Sequence, residues 1–183
     1  MQKFINTDKL FSMLSWKMEN VNVYLLLDCA HEDGVVISAI KKLPPLATSS
    51  LYIGTKDEDD EDIGPHLVKV IRNGSLMQWF LDEGAGYGII LFSEGDIELL
   101  ADHLRPFLEC VWPDDRRKMF RFYDPKTFYY FYPSLTPEEQ KTFLGPICGV
   151  ACPRPICTAE GNSLFAEYRG AFELYSPPRK KLP

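Results

Sequence analysis

The side chains best placed for catalysis follow the first apolar segment of the chain. Residues 21–30 read VNVYLLLDCA, so Asp28 comes after a predicted buried strand and His31 follows three positions later. Catalytic groups of α/β enzymes gather at the carboxyl ends of strands, where an acid and an imidazole can transfer protons. The same aspartate is also suited to capping the next helix, and the pattern lacks a second convergent group. Both interpretations of Asp28 stay open, and we predict no catalytic residue.

Three further patterns suggest metal or cofactor sites, but none has the required spacing. Cys148, Cys152 and Cys157 have no histidine beside them, whereas a structural zinc site takes four close ligands. The acidic run at 57–62 lacks the glycine and the glutamate of a calcium-binding EF-hand loop. The GAGYG segment at 84–88 follows a predicted helix, although a phosphate-binding glycine loop precedes one. We therefore expect no metal and no cofactor, and we interpret the acidic run as a solvated loop.

Charge and length restrict the class of partner. The chain has 183 residues, a net charge of −6 and a sequence pI near 5.1. Nucleic acids and anionic membranes bind basic surfaces, so we expect neither as a partner. No apolar run approaches the roughly 20 residues of a membrane span, and the N-terminal MQKFINTDKL is too polar for a signal peptide. These features predict a cytoplasmic protein with reduced thiols.

The elements that would position these residues alternate between helices and strands. Helices are predicted at 7–19, 32–43, 75–84 and 95–111, and strands at 21–30, 49–54, 66–71 and 87–93. Such alternation is typical of parallel α/β units. The predicted fold is therefore α/β, with a mixed, largely parallel sheet flanked by helices. It includes a β-hairpin at 109–123 and a small helical or irregular C-terminal extension.

The domain boundary is predicted from a change of composition. Residues 1–147 carry the alternating elements and are predicted to form one α/β domain. Residues 148–183 begin with a stretch rich in Pro, Gly and Cys and end in a basic tail. We expect them to form a short extension and not a full second lobe.

The stretch MFRFYDP at 119–125 places an arginine and an aspartate among aromatic residues. If it is a strand, alternation puts Phe120, Phe122 and Asp124 on one face and Met119, Arg121 and Tyr123 on the other. A guanidinium among aromatic side chains needs a carboxylate partner. Asp124 and Asp28 are the two candidates, and we interpret the stretch as determining the local fold.

A second aromatic segment follows within residues 125–132, which are predicted to be helical. Tyr and Phe side chains supply large contact areas at a modest cost in entropy. We predict that this segment contacts a partner through four aromatic residues: Phe128, Tyr129, Tyr130 and Tyr132. The next helix is predicted to begin at Thr136-Pro137-Glu138-Glu139, which offers a capping hydroxyl, a proline at the first position and acids in the first turn.

The succession of motifs resembles the DUF4123 family, the adaptor chaperones of bacterial type VI secretion. The resemblance extends from about residue 21 to residue 147. Its most specific part is FRFYDP at 120–125, followed by T-P-E-E-x-x-x-F-x-G-P at 136–146. The other segments that carry it are LLLDCA, SSLYIGT, HLVKV, YGIILFS and IELLADHLRPFLECV.

The resemblance implies a cytosolic, non-enzymatic adaptor. Members of that family bind the N-terminal region of a toxic effector and help to load it onto the spike protein of the secretion apparatus. Many members add a helical C-terminal lobe, whereas only 36 residues follow Ile147 in this chain. The characteristic positions of the family correspond to residues that we expect to be mainly structural: Phe120, Arg121, Phe122, Tyr123, Asp124 and Pro125.

Two alternatives to an adaptor stay open on the residues alone. One is a small α/β enzyme that uses Asp28 and His31. The other is an immunity-type protein that binds a toxin domain through the acidic run at 57–62.

Overall fold

The computed structural model describes residues 21–30, 34–111, 115–153 and 172–175. Within these residues the chain forms one six-stranded sheet, one two-stranded hairpin and five α-helices. The strands are β1 (Asn22–Asp28), β2 (Ala47–Ser50), β3 (Pro65–Val70), β4 (Gly88–Ser93), β5 (Glu109–Val111), β6 (Arg117–Met119), β7 (Ile147–Pro153) and β8 (Phe172–Tyr175). The helices are α1 (Val35–Lys42), α2 (Ser75–Trp79), α3 (Ile97–Leu104), α4 (Pro125–Phe131) and α5 (Pro137–Leu144).

The prediction of a largely parallel sheet is wrong. The strands of the large sheet lie in the order β2-β3-β1-β4-β7-β8, and each described pairing is antiparallel. β1 and β2 run in the same direction, but β3 lies between them; β3 and β4 also run in the same direction, with β1 between them. These two interlocked split β-α-β units are the arrangement of ferredoxin-like folds. From β1 to β4 strands and helices therefore succeed one another as expected, but no two neighbouring strands of the described sheet are parallel.

The C-terminal part of the chain also differs from the prediction. The expected helical or irregular extension contributes β7, which pairs with β4, and β8, which pairs with β7. β7 suits a position inside the sheet because its residues are nearly all buried. The helix predicted at 7–19 lies outside the described residues.

The sheet is covered on both faces, and each face has its own apolar core. Side chains of β1 alternate between the cores: Tyr24 and Leu26 lie on what we call the first face, and Leu25 and Leu27 on the second. Helices α3, α4 and α5 cover the first face, while α1 and α2 cover the second. This confirms the prediction that the apolar run of β1 is a buried strand.

The predicted helix starts are confirmed where the capping side chains are described. Asp96 caps α3 by accepting a hydrogen bond from the backbone N–H of Leu99 at 2.9 Å. Thr136 and Glu139 form a reciprocal capping box at the start of α5. None of the helices in the described ranges is long and apolar enough to cross a bilayer.

Candidate functional site

The segment between the hairpin and α4 is a turn and not the strand that the sequence predicted. The backbone N–H of Phe120 still bonds to the carbonyl of Leu108 at 2.7 Å, which extends the β5–β6 hairpin by one residue. The N–H of Asp124 then bonds to the carbonyl of Arg121 at 3.0 Å, closing a turn. Phe122 and Tyr123, at the centre of this turn, are both buried. The expected alternation of faces from Met119 to Asp124 is therefore wrong.

Arg121 forms an ion pair with Asp28, which confirms one of its two predicted partners. The guanidinium Nη2 donates a hydrogen bond to Oδ2 of Asp28 at the end of β1. Asp28 is 2 % exposed, whereas the Arg121 side chain is 46 % exposed. Oδ1 of the same carboxylate accepts the backbone N–H of Ala30 at 3.1 Å. The buried carboxylate is thus held on both oxygens, and it ties the turn to the central strand 93 residues away.

Two tyrosines form a layer against this ion pair. Tyr123 and Tyr52 share a side-chain hydrogen bond, and the Tyr52 hydroxyl donates to Sδ of Met119 at 3.9 Å. Burial, together with the negative charge of Asp28, raises the pKa of Tyr123 far above its ordinary value. Burial likewise raises the pKa of Tyr52. Both phenols therefore stay neutral at physiological pH and serve as hydrogen-bonding contacts.

The remaining residues of the FRFYDP motif fix the start of α4. The ring of Phe120 meets Phe131 edge-on at 4.7 Å between centroids, and Phe122 meets Phe143 at 5.4 Å. Asp124 caps the helix, accepting the N–H of Thr127 at 2.7 Å. Pro125 occupies the first helical turn, where its missing N–H costs nothing. Asp124 is therefore the helix cap, and Asp28 is the partner of Arg121.

Helix α4 and the helical turn that follows it divide the four predicted partner-binding aromatics between core and surface. Phe128 is completely buried and Tyr132 is 3 % exposed, and their rings stack at 5.3 Å. Tyr130 is 56 % exposed, and Tyr129 is half-buried beside it, at 5.2 Å between ring centroids. Phe128 and Tyr132 thus belong to the core of the first face. Partner binding stays a prediction for Tyr129 and Tyr130, which we call the tyrosine pair.

The candidate catalytic residues lie in an environment that differs from the expected one. The carboxylate of Asp28 is occupied by Arg121 and by a backbone N–H. His31 lies outside the described residues. Burial, followed by the charge of Asp28, raises the pKa of Cys29 to about 12, so this thiol stays protonated and is a weak nucleophile. Among the described residues, His66 on β3 lies opposite Leu27, the residue before Asp28. Its Nδ1 lies 3.0 Å from the carbonyl oxygen of Gly64.

The acidic run and the cysteines bring no ligands together in the described ranges. Residues 58–63 form two short helical turns without a buried side chain, which agrees with the predicted solvated loop. Cys148 and Cys152 lie on β7, and Cys157 lies outside the described residues. Among the residues that the structure describes, no three His, Cys, Asp or Glu side chains are grouped as metal ligands.

Sequence reasoning missed Tyr52, because nothing in the segment SSLYIG marks its tyrosine as a partner of the turn. Tyr52 lies two residues after the end of β2, and its ring packs over Gly64, where a Cβ would come within 2.6 Å of the ring. In the sequence, the glycine at position 64 is thus the one feature that fits an aromatic ring packed against it.

One comparison with known proteins gives a match. A family model described as "Domain of unknown function (DUF4123)" matches residues 23–142. The matched range contains β1 from its second residue, β2 to β6, α1 to α4 and the turn that carries Arg121. No curated protein and no solved structure matches the chain.

Proposed function

Because the chain belongs to the DUF4123 family, we propose that it is a cytosolic adaptor chaperone of a type VI secretion system. In this role it binds the N-terminal region of a secreted effector and helps to load that effector onto the spike protein. It makes and breaks no covalent bond. The match over residues 23–142 supports the family assignment, and the specific role extends the resemblance described above.

The observation that carries the proposal is the tyrosine pair on α4. Tyr130 exposes more than half of its surface, although the same helix buries Phe128 in the core two residues earlier. Exposed aromatic side chains on a rigid support are typical of the energetic centre of protein interfaces. Because the capped start of α4 and its packed inner face fix the backbone, binding would require little ordering of the protein.

Affinity purification of the tagged chain from its native host tests the proposal. We expect the purified material to contain a large multidomain effector, the spike protein or both. Truncation of the recovered effector should locate binding in its N-terminal region. Recovery of neither component at adequate expression contradicts the proposal. Binding confined to the toxic C-terminal part would instead identify an immunity-type protein.

We predict that Tyr130→Ala weakens effector binding at least about tenfold, since interface tyrosines often contribute 2 kcal/mol or more. The free energy of unfolding should change by less than about 0.5 kcal/mol, because the side chain is largely exposed. Titration calorimetry and urea denaturation measure the two quantities. Leu99→Ala, at another exposed apolar side chain on the first face, is the matched control and should leave affinity unchanged. Unchanged affinity of the Tyr130→Ala variant would remove the tyrosine pair from the interface.

A further inference from the structure

An open apolar groove lies at the end of the sheet opposite the Arg121–Asp28 ion pair. Its walls are the segment between α1 and β2 and the turn between β3 and α2, and its volume is about 320 Å³. We call it the β2-edge groove, defined by Leu43, Pro45, Leu46, Ile71 and Leu76. It belongs to the second face of the sheet, whereas the tyrosine pair lies on the first.

The groove combines a buried floor with exposed apolar walls. Leu76 is 4 % exposed, while Leu46 and Ile71, at the rim, are 59 % and 60 % exposed. Because both side chains line the same groove, an apolar side chain of a partner could bury them together.

The charge around the groove is of one sign. Lys41 and Lys42 lie exposed at the end of α1, and Lys42 lines the groove itself. None of the eleven residues that line the groove is Asp or Glu, and Lys42 is the charged residue among them. The whole chain nevertheless carries a net charge of −6. A segment with carboxylates therefore complements this surface better than a neutral or basic one.

The neighbouring strand β2 offers a backbone edge for such a segment. In the described part of the chain β2 pairs on one side only, with β3, and is therefore the edge strand of the sheet. At its far end Ser50 donates a hydrogen bond to the carbonyl of Glu61 at 3.2 Å, so the acidic loop lies against that end. The open stretch is the start of β2, including the exposed Thr48, directly beside Leu46. An extended peptide can add there as a further strand.

We propose that the β2-edge groove binds an extended segment of a partner protein in which apolar and acidic residues alternate. Apolar side chains of that segment contact Leu46 and Ile71, carboxylates contact Lys41 and Lys42, and its backbone pairs with the start of β2. The inference goes beyond the proposed function, because it assigns a second binding surface whatever the partner at the tyrosine pair is. Since the two surfaces lie on opposite faces of the sheet, the chain can hold two segments at once.

A peptide-binding experiment with the full-length chain tests this proposal. The probe is a fluorescein-labelled ten-residue peptide in which Leu or Val alternates with Asp or Glu, and the comparison peptide has Lys at each acidic position. By fluorescence polarisation we expect the acidic peptide to bind at least about tenfold more tightly. Leu46→Ser and Ile71→Ser should each weaken binding of the acidic peptide by about tenfold. Lys42→Glu should reduce the ratio of the affinities for the acidic and the basic peptide. Leu99→Ser, at a leucine of similar exposure on the other face, is the matched control.

Several results would overturn the proposal. Equal affinity for the acidic and basic peptides, or equal loss in the Leu99→Ser control, would exclude specific recognition at this groove. A concentration-dependent dimer that Leu46→Ser dissociates would assign the groove to a second copy of the chain. The N–H of Leu46 already bonds to the carbonyl of Lys69, and Ala47 lies opposite Lys69, so both amides are protected by β3. Slow exchange of the Thr48 amide in the free protein, without peptide binding, would assign the groove to residues 1–20. That segment carries three Lys against one Asp and one Glu, so it lacks the negative charge that the groove complements. Because no effector takes part, failure here leaves the test of the proposed function unaffected.

Discussion

Arg121→Ala is expected to lower the free energy of unfolding by about 1–3 kcal/mol, because it leaves a buried charged group without its partner. Asp28 is 2 % exposed, and once the guanidinium is removed its remaining hydrogen-bond donor among the described residues is the N–H of Ala30. For a chain of this size each kcal/mol lowers the melting temperature by about 2–4 °C. Thermal and urea unfolding followed by circular dichroism measure the change.

A double-mutant cycle separates the ion pair from other consequences of losing the arginine. In the Asp28→Asn background, Arg121→Ala should cost less than in the wild-type background, because no buried charge is left unpaired. The matched control is Arg117→Ala, which removes a 3.4 Å contact with Glu109 from a side chain that is 74 % exposed. We expect that control to cost less than about 1 kcal/mol. An equal effect of Arg121→Ala in both backgrounds would mean that the ion pair does not stabilise the fold.

The fold was predictable at the level of single elements but not at the level of the sheet. The apolar run LLLD marks β1 as a strand covered on both faces, and both cores indeed contact it. A helix can connect two neighbouring strands, or two strands that have a third between them. Both connections give the same order of strand, helix and strand along the chain, so local periodicity does not distinguish them. The insertion of β3 beside β1 depends on long-range pairing, such as Val23 opposite Val70. Pairing across such distances is decided by tertiary packing.

The site was predictable where a side chain's chemistry demands a particular partner. A guanidinium within an aromatic stretch requires a carboxylate, and the candidates were Asp124, close in sequence, and Asp28, on another strand. Aromatic residues carry no comparable demand, since Phe and Tyr suit a core as well as an interface. The division of 128–132 into buried and exposed positions follows from how α4 lies on the sheet. That orientation is set by the Asp124 cap and by the turn before it, and no strand-like alternation could have revealed it.

Phe128→Ala should lower the free energy of unfolding by about 3–5 kcal/mol, the usual cost of removing a fully buried aromatic ring. Phe128 is completely buried, and its ring lies 5.3 Å from that of Tyr132 and 5.4 Å from that of Tyr175. Because Tyr175 belongs to β8, the truncation should also loosen the edge of the sheet. A loss of this size is large compared with the free energy of unfolding of a typical domain, which is about 5–15 kcal/mol. Urea denaturation and amide hydrogen exchange in β8 measure both effects.

The comparison with Tyr130→Ala, two residues further along α4, makes this prediction specific. The two variants truncate aromatic side chains on one helix, but one ring is buried and the other is 56 % exposed. We expect a large loss of stability for Phe128→Ala, and for Tyr130→Ala a loss of binding with stability retained. Phe128→Leu should fall between Phe128→Ala and the wild type, because it restores part of the buried volume. If Phe128→Ala instead keeps its stability and loses effector binding, the helix must turn its buried face outward in the complex. Phe128 would then be a contact residue, as the aromatic pattern alone had suggested.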